Sequence, residues 1–219
     1  MKISAKCGFR QARHAKQRGV SLFFALIALL VISLAAVALI RSVDTSTLIA
    51  GNLAFKQSTT SSGDAGIEAA VAWLVATEAG NAAINVLNNT AHPFNSTGGS
   101  GGFLNAGYYS STDPAVSLTD GTGIQWSNAD SVLVGTDASA NTTRYVIQRM
   151  CRTPNVAIQN ANCLFSGATI DKNGQSIPLP QDVCVGSGCP VAGQAPQLRI
   201  TSRTTGPRNS VSYVQAFVY

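Results

Sequence analysis

Charge is scarce in this chain. Asp, Glu, Lys and Arg make up 11% of residues, against about 25% in an ordinary soluble domain. Histidine is nearly absent: the two present are His14 and His92, and neither has a partner at a recognisable spacing. No Gly-x-Ser-x-Gly elbow occurs, and no pair of carboxylates stands out as an acid/base couple. General acid–base chemistry needs such groups, so the sequence argues against an enzyme. The Gly-rich run Thr97–Gly102 lacks the Lys-Ser/Thr of a phosphate loop and opens no helix; it reads as a flexible loop. Alternating Asp/Asn ligands closed by Glu are missing too, which argues against a calcium loop around Asp120-Gly121-Thr122-Gly123. That tetrapeptide reads as a turn. No cofactor and no metal are expected.

What charge there is lies in one place. Lys2, Lys6, Arg10, Arg13, Lys16 and Arg18 all precede Gly19 with no acid among them, and nine Lys/Arg against ten Asp/Glu remain beyond. The net charge of +5 therefore belongs to a basic leader. It does not advertise a nucleic-acid surface, and no nucleic-acid partner is expected.

Directly after the leader, Val20–Ile40 is apolar except for Ser21 and Ser33. As a helix it reaches about 30 Å, the hydrocarbon thickness of a bilayer. Its serines are tolerable because a hydroxyl can bond a carbonyl one turn earlier. Basic residues before the run, against Arg41 and Asp44 after it, predict a cytoplasmic N-terminus. A cleaved signal peptide is the competing reading, with Ala36-Val37-Ala38 as an A-x-A site. The apolar stretch is long for that, and the sequence beyond Ala38 stays helix-compatible.

The junction Gln17-Arg18-Gly19-Val20-Ser21-Leu22 resembles the prepilin peptidase site of type IV pilins. Arg41–Thr45, Leu48–Leu53 with its Ala50-Gly51-Asn52, and Glu68-Ala69-Ala70 resemble the N-terminal region of PilX-type pilus assembly proteins. Gly206–Val211 and Val214-Gln215-Ala216 resemble their closing hairpin. The likeness is good over residues 17–75, fair over 197–219 and weak between. It implies cleavage after Gly19, N-methylation of Val20, and retention of the helix bearing Val20, Leu22, Phe24, Leu30 and Ile40, first in the inner membrane and then in a fibre. The implied role is a minor pilin that initiates or caps the pilus. Implied partners are other minor and major pilins, the prepilin peptidase, the inner-membrane assembly machinery and, before assembly, lipid. Most major pilins carry Glu at the fifth mature position; here it is Phe24, as in PilX-type members and the K-type minor pseudopilin of type II secretion. That pseudopilin, and a secreted binding domain released near Ala38, are the alternatives.

The expected organisation is a leader (1–19), a membrane helix (20–40), its continuation (41–79) and a head (80–219). The fold class is α+β and pilin-like: a long N-terminal helix packed on a C-terminal antiparallel sheet with disulfide-containing loops. Leu48, Leu53, Ile67, Val71, Leu74 and Val75 give a partial helical stripe. Gly51, Gly63 and Gly66, each costing about 1 kcal/mol relative to Ala, predict kinks or melting. Strands are expected at 143–151, 197–205 and 210–219, and short ones at Phe103–Tyr109, Ile124–Trp126 and Val132–Val134. In the last strand Val211, Tyr213, Gln215, Phe217 and Tyr219 share one face. His92, beside Pro93, reads as a loop residue, and Tyr108 and Tyr109 read as surface or core aromatics rather than ligand contacts. Cys7 lies in the leader. Cys151, Cys163, Cys184 and Cys189 predict two disulfides in an exported domain; of three pairings, Cys151–Cys163 and Cys184–Cys189 close the shortest loops.

Overall fold

The computed structural model describes residues 19–96, 107–112, 117–119 and 123–219. Residues 1–18, the whole of the glycine loop Thr97–Gly102 with Phe103–Ala106, residues 113–116 and Asp120–Thr122 lie outside the described residues. The chain divides into two units, Met1–Gly51 and Asn52–Tyr219.

One helix, α1 (Val20–Gly80), runs through the boundary without a break. Val20–Ala50 carries no proline and only two charged residues, Arg41 and Asp44, and every residue of it is exposed. Hydroxyls along this part bond back to the helix itself: Ser33 donates to Leu30 O at 2.8 Å and Thr45 to Arg41 O at 2.9 Å. This local satisfaction is what lets Ser and Thr sit in an apolar helix.

The second unit carries a mixed sheet. Its strands are β1 (Tyr108–Tyr109), β2 (Val132–Thr136), β3 (Thr142–Arg149), β6 (Leu198–Thr205) and β7 (Val211–Val218). The order is β1-β3-β6-β7, with β2 also on β3. β3, β6 and β7 form an antiparallel meander, so the three strands with the clearest alternation make the centre. β1 pairs parallel to β3, which corrects the expectation of a purely antiparallel sheet. Ile124–Trp126 is not a strand. Instead Ile124 and Trp126 pack on Val146 as a small cluster. Gly206 and the turn Pro207–Asn209 connect β6 to β7.

Helical structure continues through Gly51, Gly63 and Gly66, so the expected melting is not seen. The glycines mark where α1 meets the sheet. Its buried residues are Thr59, Gly63, Gly66, Ala70 and Leu74, spaced at helical intervals of three and four on one face. Leu48, Leu53 and Val75 of the expected stripe are exposed, and Ile67 and Val71 are half-buried. A side chain at Gly63 would put its Cβ 2.7 Å from Val214 Cγ2, and one at Gly66 would put it 2.9 Å from Thr143 Cγ2. Glycine here is required by close approach, and it outweighs its helix-propensity cost.

Between β3 and β6 the chain forms loops and the two-residue pair β4 (Phe165–Ser166) with β5 (Ala195–Pro196). Disulfides link Cys151 to Cys163 and Cys184 to Cys189. They supply cross-links where little apolar core exists. Replacing Cys184 and Cys189 together by Ser is expected to cost about 2 kcal/mol, the loop-closure entropy of so short a ring. Guanidinium denaturation of the variant beside the parent checks this.

Candidate functional site

The first candidate surface is the exposed apolar length of α1. Gly19 has φ +80°, a conformation that favours glycine, and the helix starts at the next residue. The peptide bond named by the prepilin resemblance thus lies where the helix begins. Leu22, Phe24, Leu30 and Ile40 are 58–70% exposed. α1 is long and apolar enough to cross a membrane. Bare in water, such a surface is costly, at roughly 25 cal/mol per Å².

In the second unit, α1 is held by two different chemistries. At the Thr59 end the contacts are hydroxyls. Thr59 and Ser212 share a hydrogen bond of 2.8 Å, Thr143 donates to Ser62 O at 3.3 Å, and Ser62 donates to Asp137 at 2.5 Å. Hydrogen bonds from Ser62, from Asn141 and from the Ser139 backbone hold the Asp137 carboxyl at about 2. Its contribution is present above the ordinary carboxylate range and is lost as pH falls toward 2. At the Leu74 end the contacts are aromatic and aliphatic. Trp73, Phe94 and Tyr108 pack together, with ring centroids 5.6–6.1 Å apart.

Tyr108 is buried in this core and donates to Phe94 O at 2.9 Å. Burial pushes its phenol up. Half-buried Tyr109 donates to Asp130 O at 2.8 Å, and burial pushes it up to about 12. The structure therefore places Tyr108 in the core. His92 lies in a loop as expected, but it is buried there. It is 1% exposed, stacks by Phe94 and has Nε2 3.5 Å from Glu78 Oε2. Its Nδ1 accepts the Phe94 N–H at 3.2 Å, capping the short turn Pro93–Asn95. Sequence gave no sign of this, because Glu78 and Arg149 reach His92 only through the fold.

An accepting Nδ1 means a neutral ring. Burial lowers the pKa of His92; Glu78 opposes that and Arg149 reinforces it. The unfolded chain, whose histidine titrates near 6.5, then takes up a proton that the folded chain refuses. Stability is therefore full above that pH and falls as pH drops through it. The slope for one proton is at most about 1.4 kcal/mol per pH unit. Denaturation curves from pH 7.5 to 5 are expected to show this loss. His92→Asn keeps a cap acceptor and is expected to flatten it.

Among the described residues no group of three or more His, Cys, Asp or Glu is placed to hold a metal. Comparison with family models, with curated proteins and with solved structures found no match.

Proposed function

We propose that this chain is the precursor of a minor pilin: it is cut after Gly19, methylated at Val20, held in the inner membrane by Val20–Ile40, and then moved into a pilus at its initiating or tip position. One observation carries the reading. A single helix is exposed from Val20 to Ala50, apolar over Val20–Ile40, and from Thr59 to Leu74 is seated on a disulfide-bearing sheet unit. A signal peptide is discarded and has no reason to be continuous with a helix that the folded unit depends on. A retained helix has that reason, because the anchor and the folded part then remain one element.

The transfer from lipid to fibre is energetically close to neutral. Lipid tails and apolar helices are similar solvents, so packing decides register, and the assembly machinery supplies the work. Phe24 supports a tip or initiating position over a repeating one. A buried carboxylate needs a partner charge from a neighbour, and a terminal subunit lacks one neighbour.

The test is intact mass and N-terminal sequencing of the protein taken from its native membrane. A start at methylated Val20 supports the proposal. A start at Leu39 means release by signal peptidase, and an uncut Met1 means a plain membrane anchor; either result defeats it. Gly19→Leu is expected to leave the precursor uncut.

A further inference from the structure

Among the described residues, β7 pairs with β6 alone, so its other side is a sheet edge. Its eight residues contain no charge and no proline, and its pairing with β6 runs without a register shift. Sheet edges are normally blunted by one of those devices, because an open edge recruits further strands.

The hydrogen-bond phase along β7 says which groups point outward. Gly206 N–H donates to Ser210 O at 2.8 Å, which makes 206/210 a hydrogen-bonded pair. Hydrogen-bonded and non-bonded pairs alternate in an antiparallel ladder. The pairs 203/213, 201/215 and 199/217 are then the non-bonded ones. Tyr213, Gln215 and Phe217 therefore turn both N–H and C=O away from β6. Val211 fits the same phase: its carbonyl also faces away and accepts from Lys56 Nζ at 2.9 Å.

At the Val218 end of this edge lies an apolar groove of about 500 Å³, lined among others by Val71, Leu74 and Val75 of α1 and by Leu198 and Val218 of the sheet. Val75 is 63% exposed there. The two ends of the edge differ in charge: Lys56 stands at the Val211 end, and Glu78 lines the groove at the Val218 end.

We infer that the β7 edge is a docking site for an extended segment of a different polypeptide, which adds as a further antiparallel strand and seats alternate apolar side chains in the groove between β7 and α1. The backbone groups require a strand. The groove requires a strand whose second face is unused, since only such side chains can enter it. A second copy does not meet that condition through its own β7, because Ser212 and Val214 on the helix-facing side already meet its own Thr59 and Gly63. Charge sets the direction: a basic residue of the segment lies by Glu78 and an acidic one by Lys56. This inference does not depend on cleavage at Gly19.

The test uses the full chain in detergent and an acetylated, amidated peptide, Lys-Val-Thr-Val-Thr-Val-Thr-Asp. Backbone amide exchange at Tyr213, Gln215 and Phe217 is expected to slow by about tenfold or more on adding it, while the amides of Ser212, Val214 and Ala216 stay unchanged. A peptide with the same composition but blocked Val and Thr is expected to give no protection. Gln215→Pro removes one outward N–H and no backbone bond to β6, a place where an edge tolerates proline; it also removes the bond from Gln215 Nε2 to Thr201 Oγ1 at 3.0 Å, so Gln215→Ala, which loses that bond but keeps the N–H, is the control. The Pro variant is expected to abolish the protection and the Ala variant to keep it. Val75→Lys, a change at an exposed helix position, is expected to weaken binding without lowering the melting temperature. Unchanged exchange at saturating peptide overturns the inference, as does full binding by Gln215→Pro. Protection that rises with protein concentration alone would make a second copy the occupant, and overturns it too.

Discussion

Gly66→Val is expected to destabilise the sheet unit by about 3 kcal/mol, the upper part of the range for overpacking a filled interior. The argument is steric. A Cβ at this position lies 2.9 Å from both Ser202 Cβ and Thr143 Cγ2, on the two central strands. Neither neighbour is the far end of a flexible chain, so relief requires helix and sheet to separate. Separation would also break the hydroxyl contacts at the Thr59 end, including Thr59 to Ser212 at 2.8 Å. In a chain of this length the loss corresponds to a fall in melting temperature of about 6–12 °C. Gly51→Ala is the matched control. Nothing lies within 4 Å of a Cβ placed there, so it is expected to gain about 1 kcal/mol of helix propensity. Thermal melts of both variants in detergent, followed by near-ultraviolet circular dichroism, decide the matter. Equal and small effects would mean that Gly66 is a tolerated weakness in α1 rather than its seat.

That contrast shows what the sequence could tell and where it stopped. Strict alternation in 197–205 and 210–219 made β6 and β7 legible to within a residue or two, because a two-residue period has no other use. The face of β7 was harder. Val211, Tyr213, Gln215 and Phe217 are the larger set, yet the side that meets α1 carries Ser212, Val214 and Ala216. Packing a helix closely enough to need glycine leaves room only for small residues opposite, so size and burial are inverted here. Thr59, Gly63, Gly66, Ala70 and Leu74 did carry a legible helical period, but of small residues, which a search for apolar stripes passes over. Trp126 is a third case. It belongs to no strand; its indole donates to Leu118 O at 2.9 Å, packs edge-on to Tyr213, and lies under the Arg203 guanidinium. Contacts between residues so far apart in sequence leave no local pattern to read.

Arg149 is the most consequential of the residues that the sequence left anonymous. It ends β3 and is 1% exposed. Burial lowers its pKa, but a guanidinium starts so high that it stays charged. Among the described residues no carboxylate is hydrogen-bonded to it. Nε donates to Ser110 O at 2.8 Å, Nη2 to Val156 O at 2.9 Å, and Nη1 to Asn95 Oδ1. Asn95 in turn donates to Val86 O and Asn89 O, each at 2.8 Å. One planar fork thus ties the sheet to three loop segments. Arg149→Met fills much of the same volume and strands all three acceptors. Each hydrogen bond to a charged group is worth about 1.5–3 kcal/mol, and an orphaned buried acceptor about 1–3 kcal/mol. Shared relaxation makes these less than additive, so the expected loss is about 4 kcal/mol. Arg149→Lys keeps the charge but not the fork, and is expected to recover less than half. Guanidinium denaturation, read by the fluorescence of Trp73 beside Phe94 and Tyr108, measures both. A loss below about 1 kcal/mol for Met would mean that the loops satisfy their carbonyls without Arg149, as happens when a whole buried polar group is exchanged for apolar packing. The fork would then be an occupant of the loops' arrangement and not its cause.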